Sequence, residues 1–210
     1  MSSPSYLRMG GLTLLIGCLI AVVFQILTFV VPGPLGVQGP PAAWVAWLGV
    51  LGGVVTLVGL PALYTVQPKR LAALGLLGMI GLFLALLLFE VVLDIIAATV
   101  FASIGPAGAS ASFQPPVWII ALFIVGAVLL LLGSVLFGMA ILRTQVFPVW
   151  SGWALIVLGV LNAVPSVLPP TTLAITMAGT ALTVLQLLVL AWMGYLLASR
   201  LAKSAVGAQA

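Results

Sequence analysis

Between Arg70 and Arg143 the chain carries only two charged side chains, Glu90 and Asp94, and both lie inside one apolar run. Such a run gives water almost nothing to solvate, so its backbone N–H and C=O groups must be satisfied within the segment itself. A helix does this, and it sets Glu90 and Asp94, four residues apart, on one face with one a turn above the other. A carboxylate in or near lipid is costly and normally turns toward a cavity, a partner or a neighbouring helix. These are also the only two acidic residues in the sequence.

Composition extends that constraint to the whole chain, which is 64% hydrophobic and 4% charged. A soluble domain needs far more charge to keep its surface in water, so the class is a polytopic membrane protein. The sequence has no His and one Cys, Cys18. That excludes His-ligated haem, the usual zinc sites, Cys-cluster metal sites and an intrachain disulfide, and it removes the commonest general base. No cofactor is expected. The net charge of +4 falls in short connections and tails, where it reports topology and not nucleic-acid binding.

The apolar runs predict an all-α transmembrane bundle of six spans, at about residues 9–31, 42–66, 71–103, 117–142, 149–168 and 171–198. Each reaches the roughly 20 residues that cross a bilayer. The first is too long for a signal-peptide core, and Pro32-Gly33-Pro34 after it offers no cleavage site of the usual small-residue kind. Residues 1–8 are then a cytoplasmic segment and residues 199–210 a cytoplasmic tail expected to be disordered. Pro61 breaks the second span late. Short connections between spans leave no room for a separate soluble domain.

Charge fixes the expected threading. Arg8, Lys69, Arg70, Arg143, Arg200 and Lys203 all fall on one side of the six-span arrangement, and the three connections on the other side carry no charge. The positive-inside rule puts both termini in the cytoplasm. Trp44, Trp47 and Trp118 then mark outer span ends, and Trp150, Trp153 and Trp192 inner ones, as interfacial anchors do.

Small residues recur at helix-contact spacing in Gly49/Gly53, Gly75/Gly78 and Ser134/Gly138. They serve close packing within the bundle, or a face kept for a partner subunit or a second copy. The turns at Ala62-Leu63-Tyr64-Thr65 before Pro68 and Ile141-Leu142-Arg143-Thr144 before Pro148 also echo each other, as a duplicated hairpin would.

Counting from Arg70 at 1.5 Å per residue puts Glu90 roughly 30 Å along its span, near the outer interface, with Asp94 at or beyond it. Gln25, Asn162, Thr176 and Thr180 also fall toward outer span ends, with Thr183 and Gln186 below them. Together they form a candidate outward-open pocket with the two carboxylates at its rim, or each bonds a neighbouring helix. No basic residue is expected on that side, so a cation, a headgroup amine, a partner's base or protonation must compensate the pair. Cys18 reads as a small buried hydrophobe.

The stretch Gly138-Met139-Ala140-Ile141-Leu142-Arg143, followed by Pro148-Val149-Trp150-Ser151-Gly152-Trp153, resembles the broad group of uncharacterised bacterial six-span integral membrane proteins. The Leu63-Tyr64 turn and the Glu in the third span fit the same pattern. The resemblance implies a bacterial cytoplasmic-membrane location and a six-helix bundle, and it carries no activity.

Two functional readings follow. The first is a non-enzymatic accessory or scaffold subunit, or a lipid-contacting bundle, whose partners are membrane lipids and a further subunit or copy. The second is a small transporter or binding protein for a cationic or amphipathic ligand, drawn in by Glu90 and Asp94. An intramembrane enzyme ranks below both, because carboxylates stacked along one helix do not face each other as a proton-sharing dyad does.

Overall fold

The computed structural model describes residues 4–31, 41–67, 72–99, 116–167 and 173–201, and every element among them is helical. The helices are α1 (Pro4–Val30), α2 (Ala43–Gly59), α3 (Pro61–Thr65), α4 (Ala72–Leu86), α5 (Leu93–Thr99), α6 (Val117–Thr144), α7 (Val149–Val167) and α8 (Leu173–Leu196). Lys69, Arg70, Lys203 and most of the tail lie outside the described residues.

Five helical stretches are long and apolar enough to cross a membrane: Ser5–Val30, Ala43–Thr65, Ala73–Thr99, Val117–Thr144 and Met177–Ser199. The sixth, α7, is a 19-residue apolar helix of about 28 Å, near the hydrocarbon thickness of a bilayer. The outward surface fits the same setting. Large apolar side chains such as Ile16, Val58, Leu77, Val125 and Leu161 are exposed along the helices, far beyond what a water-soluble exterior tolerates. All six tryptophans are exposed too, between 41% and 58%, consistent with rings placed at an interface.

The helices form a closed ring in chain order. α1 packs on α2, α2 on the α4–α5 helix, α4 on α6, α6 on α7, α7 on α8, and α8 back on α1. Neighbours run antiparallel: along the α1–α2 seam Gly52 lies on Ala21 and Gly59 on Leu14, and along the α1–α8 seam Gly194 lies on Leu15 and Gly11 on Ala198. Small residues set the seams. Gly59 lies on Leu14 and Gly17 on Thr56 between α1 and α2, and Gly78 lies on Phe137 between α4 and α6. Gly138 lies on Gly152 between α6 and α7, and Gly11 on Gly194 between α1 and α8. The small-residue stripes are therefore occupied inside the bundle.

Local breaks follow the residues. Pro61, which lacks a backbone N–H, starts α3 as a separate turn after Gly59, although Leu60 stays helical. α6 stops where Gln145 takes the left-handed conformation (φ 51°), and its N–H donates to the Ile141 carbonyl at 2.8 Å. The break that matters most lies in the third span. Between α4 and α5, Leu87–Val92 forms a π-helical turn. Leu93 N–H donates to the Leu88 carbonyl, five residues back, so one extra residue is held in the helix.

At the end bearing Arg8 and Arg143, Trp150 and Trp192 rings lie 6.2 Å apart and Trp192 and Tyr195 rings 5.6 Å apart. This aromatic group joins α7 to α8 at the level the sequence assigns to an interface.

Candidate functional site

Glu90 lies inside the π-helical turn and Asp94 one turn beyond it, and both are buried, at 4% and 8% exposure. They face α2. Gly53 sits opposite Glu90, where a Cβ would come within 2.6 Å of the Glu90 carbonyl oxygen and 2.8 Å of its Cβ. Gly49, one turn along α2, sits opposite Asp94, and the Asp94 Oδ2 atom takes the space a Gly49 Cβ would need. The i, i+4 spacing of the two acids is matched by the i, i+4 spacing of two glycines running antiparallel to them. Only glycine leaves the room.

α1 closes the site from the third side. The buried Phe24 ring approaches Gly49, with Cε1 and Cζ both 2.9 Å from where a Cβ would stand. Gln25, next along, brings its side-chain amide beside the Glu90 carboxyl. One carboxyl oxygen of each acid, Glu90 Oε2 and Asp94 Oδ2, is buried without a hydrogen-bond partner among the described residues. The described basic side chains that are exposed, Arg8 and Arg143, belong to the opposite end of the bundle.

α5 runs to Thr99, so Glu90 and Asp94 lie roughly 14 and 8 Å inside that helix end. In the fold, α1 and α2 cover the carboxylates, and two glycines draw them into the helix seam.

The other expected pocket residues separate from this pair, Gln25 excepted. Asn162 of α7 donates through Nδ2 to Thr183 Oγ1 (3.2 Å) and to Gln186 Oε1 (3.1 Å) on α8. Gln186 Nε2 donates to Ser134 Oγ on α6 at 3.1 Å. Thr183 Oγ1 also reaches Gly179 O at 3.1 Å and Asn162 Oδ1 at 3.3 Å. This chain of amides and hydroxyls ties three helices, and Asn162, Ser134 and Gln186 are all buried in it. Thr180 is half-buried on α8, and the Thr176 side chain lies outside the described residues. One polar pocket is thus replaced by an acidic site between α1, α2 and the third span and a satisfied network across α6, α7 and α8.

Three contributors were not read from the sequence as parts of the site. Gly49 and Gly53 were visible only as a packing stripe, although their spacing mirrors that of the acids. Phe24 carries no signal beyond its apolarity. The π-helical turn has none, since every residue of Leu87–Val92 suits an α-helix in an apolar run. Cys18 is fully buried and receives a long contact from the Thr56 hydroxyl at 3.9 Å, as a small interior side chain. Among the described residues no group of three or more His, Cys, Asp or Glu could hold a metal ion.

No family model matches this chain, and no curated protein or solved structure does.

Proposed function

We propose that this is a non-enzymatic membrane protein that binds a small cation or a proton between α1, α2 and the third span, with Glu90 and Asp94 as its ligating groups. The observation that carries the reading is that Glu90 Oε2 and Asp94 Oδ2 are both buried without a hydrogen-bond partner among the described residues. Two carboxylates one turn apart in an apolar interior repel each other and lose hydration, and a bound positive charge relieves both costs. The close approach of Gly49 and Gly53, with the Gln25 amide beside Glu90, leaves the oxygens placed for such a guest. Transport or sensing of that ion fits a site enclosed by three helices. The chain is read as a bacterial cytoplasmic-membrane protein with both termini in the cytoplasm, so that the site lies in the outer half of the bilayer.

The accessory-subunit reading keeps one supporting observation, the continuous apolar exterior. It loses another, because the acids point into the helix seam, where a Lys or Arg from a lipid-side partner cannot reach without parting α2 from the third span.

Thermal unfolding of the purified protein in detergent tests the proposal, with sodium, potassium or choline as the cation and across acid and alkaline buffers. Wild type is expected to gain stability with one inorganic cation or on acidification. The Glu90→Gln/Asp94→Asn double variant is expected to show neither response. A double variant that responds as wild type does would remove the site.

A further inference from the structure

We propose that the π-helical turn Leu87–Val92 is a register switch that carries Asp94 between its buried place against Gly49 and an exposed place on the outer half of the third span. This rests on the ion-binding reading above and adds how the site opens.

The geometry defines both registers. A π-helical turn holds one residue more than the α-helical turn it replaces, with weaker hydrogen bonding, and it persists only where its surroundings favour it. Closing Leu87–Val92 to α geometry advances every residue after it by one position. The segment Leu93–Thr99 then rotates by about 100° and moves about 1.5 Å along its axis. Leu93 arrives where Asp94 now lies, against Gly49 and Phe24. Asp94 arrives where Ile95 now lies, a position 37% exposed. The carboxylate leaves the interior and its place is filled by an apolar side chain.

The sequence of this segment suits both registers. In the present one, Asp94, Ala97 and Ala98 are the buried residues, and Ala97 and Ala98 form a small cluster with Ala46 of α2. In the other, the same positions fall to Leu93, Ile96 and Ala97, an apolar set that buries no polar group. Ile96 is bulkier than the Ala97 it replaces, so the shifted helix stands further from Ala46 there and loosens the α2 seam beside the site. Gly49 and Gly53 favour the present register, because they alone leave room for Asp94 and Glu90. An ion held by both carboxylates favours it further. Loss of the ion leaves two buried carboxylates repelling each other, and the shift parts Asp94 from Glu90 and carries it one position nearer the outer end of the span, where its oxygens can reach toward the headgroups. The site's occupancy and the helix register are thereby coupled, as two states biased by one ligand must be.

Cysteine pairs in the full chain, with Cys18→Ala as background, read the register directly. Ala46→Cys with Ala98→Cys reports the present register, and Ala46→Cys with Ile96→Cys the shifted one. Both pairs are oxidised in proteoliposomes, and the remaining thiols are counted with a maleimide tag. Deleting Leu88 closes the turn while leaving Glu90 and Asp94 in their present places, so it locks the present register. The Ile96 pair is expected to cross-link in the intact helix and to fall by at least about tenfold in the Leu88 deletion, with the Ala98 pair retained. Sodium in place of choline, or acid in place of alkaline buffer, is expected to shift cross-linking toward the Ala98 pair in wild type and not in Asp94→Asn. An intact helix in which only the Ala98 pair forms overturns the switch, and that comparison holds even if the deletion does not fold. Equal Ile96 cross-linking with and without Leu88 overturns it as well. A register shift indifferent to sodium and acid, in a protein whose unfolding is also indifferent to them, would sink the ion-binding reading instead.

Discussion

The Asp94 carboxylate oxygen occupies the volume that a Cβ would take on Gly49, so the acid and the glycine form one unit across the α2–α5 seam. A methyl group at position 49 and the buried carboxylate at position 94 exclude each other. Helix packing and the placement of the acid are therefore one constraint.

Gly49→Ala tests that unit. The new methyl meets both Asp94 Oδ2 and the Phe24 ring, and overpacking of this kind costs about 1–3 kcal/mol. Unfolding in mixed micelles is expected to show that loss. Adding Asp94→Ala is expected to recover part of it, leaving the Phe24 contact. Strictly additive effects would mean that the two residues do not touch.

Asp94→Asn is expected to stabilise the protein in alkaline, cation-poor buffer. The amide keeps the shape of the carboxylate without a charge that must be held away from water, a gain on the order of 1 kcal/mol or more. Asp94→Ala, which removes the side chain and leaves a void beside Phe24, gains less. The unfolding midpoints of the two variants decide the matter, and an Asn variant less stable than wild type under these conditions would contradict the arrangement.

The amide network on the far side makes an independent prediction. Gln186→Leu breaks the bonds to Asn162 and Ser134, with a loss of about 1–2 kcal/mol. Combined with Asn162→Leu, the loss is expected to be well short of the sum, because the two share a bond. The response to cations and acid is expected to stay that of wild type. Altered ion response in Gln186→Leu would mean that the two polar regions communicate.

Gln67 offers a further check at the basic end. Its amide N and O are both buried without a hydrogen-bond partner among the described residues, and the oxygen takes the space a Gly75 Cβ would need. Gln67→Met keeps the length of the side chain and removes two unsatisfied polar atoms. The variant is expected to unfold at the same temperature as wild type or higher, since each unmet polar group costs about 1–3 kcal/mol. A clear loss of stability would point to a partner for this amide.

The class, the helices and their antiparallel order are legible in the apolar runs alone. Lipid offers no hydrogen bonds to the backbone, so apolar runs of about twenty residues have one stable form. The sequence also picked out Glu90 and Asp94, since charge in such a run has no bland explanation, and placed all six tryptophans on the exterior. Pro61 marked a break because a missing N–H is a local property.

What surrounds the acids is set by the packing of the helices in three dimensions. That Gly49 and Gly53 face them, that Gln25 lies beside Glu90, and that Asn162 and Gln186 turn to Ser134 and Thr183 instead depend on how each helix rotates within the ring. Rotation is set by the sum of many small side-chain contacts over several helices, none of which has a signature in one span. The π-helical turn belongs to the same category. Nothing in Leu87–Val92 opposes an α-helix, and the extra residue is held there because it brings both carboxylates to the two places where α2 has no side chains.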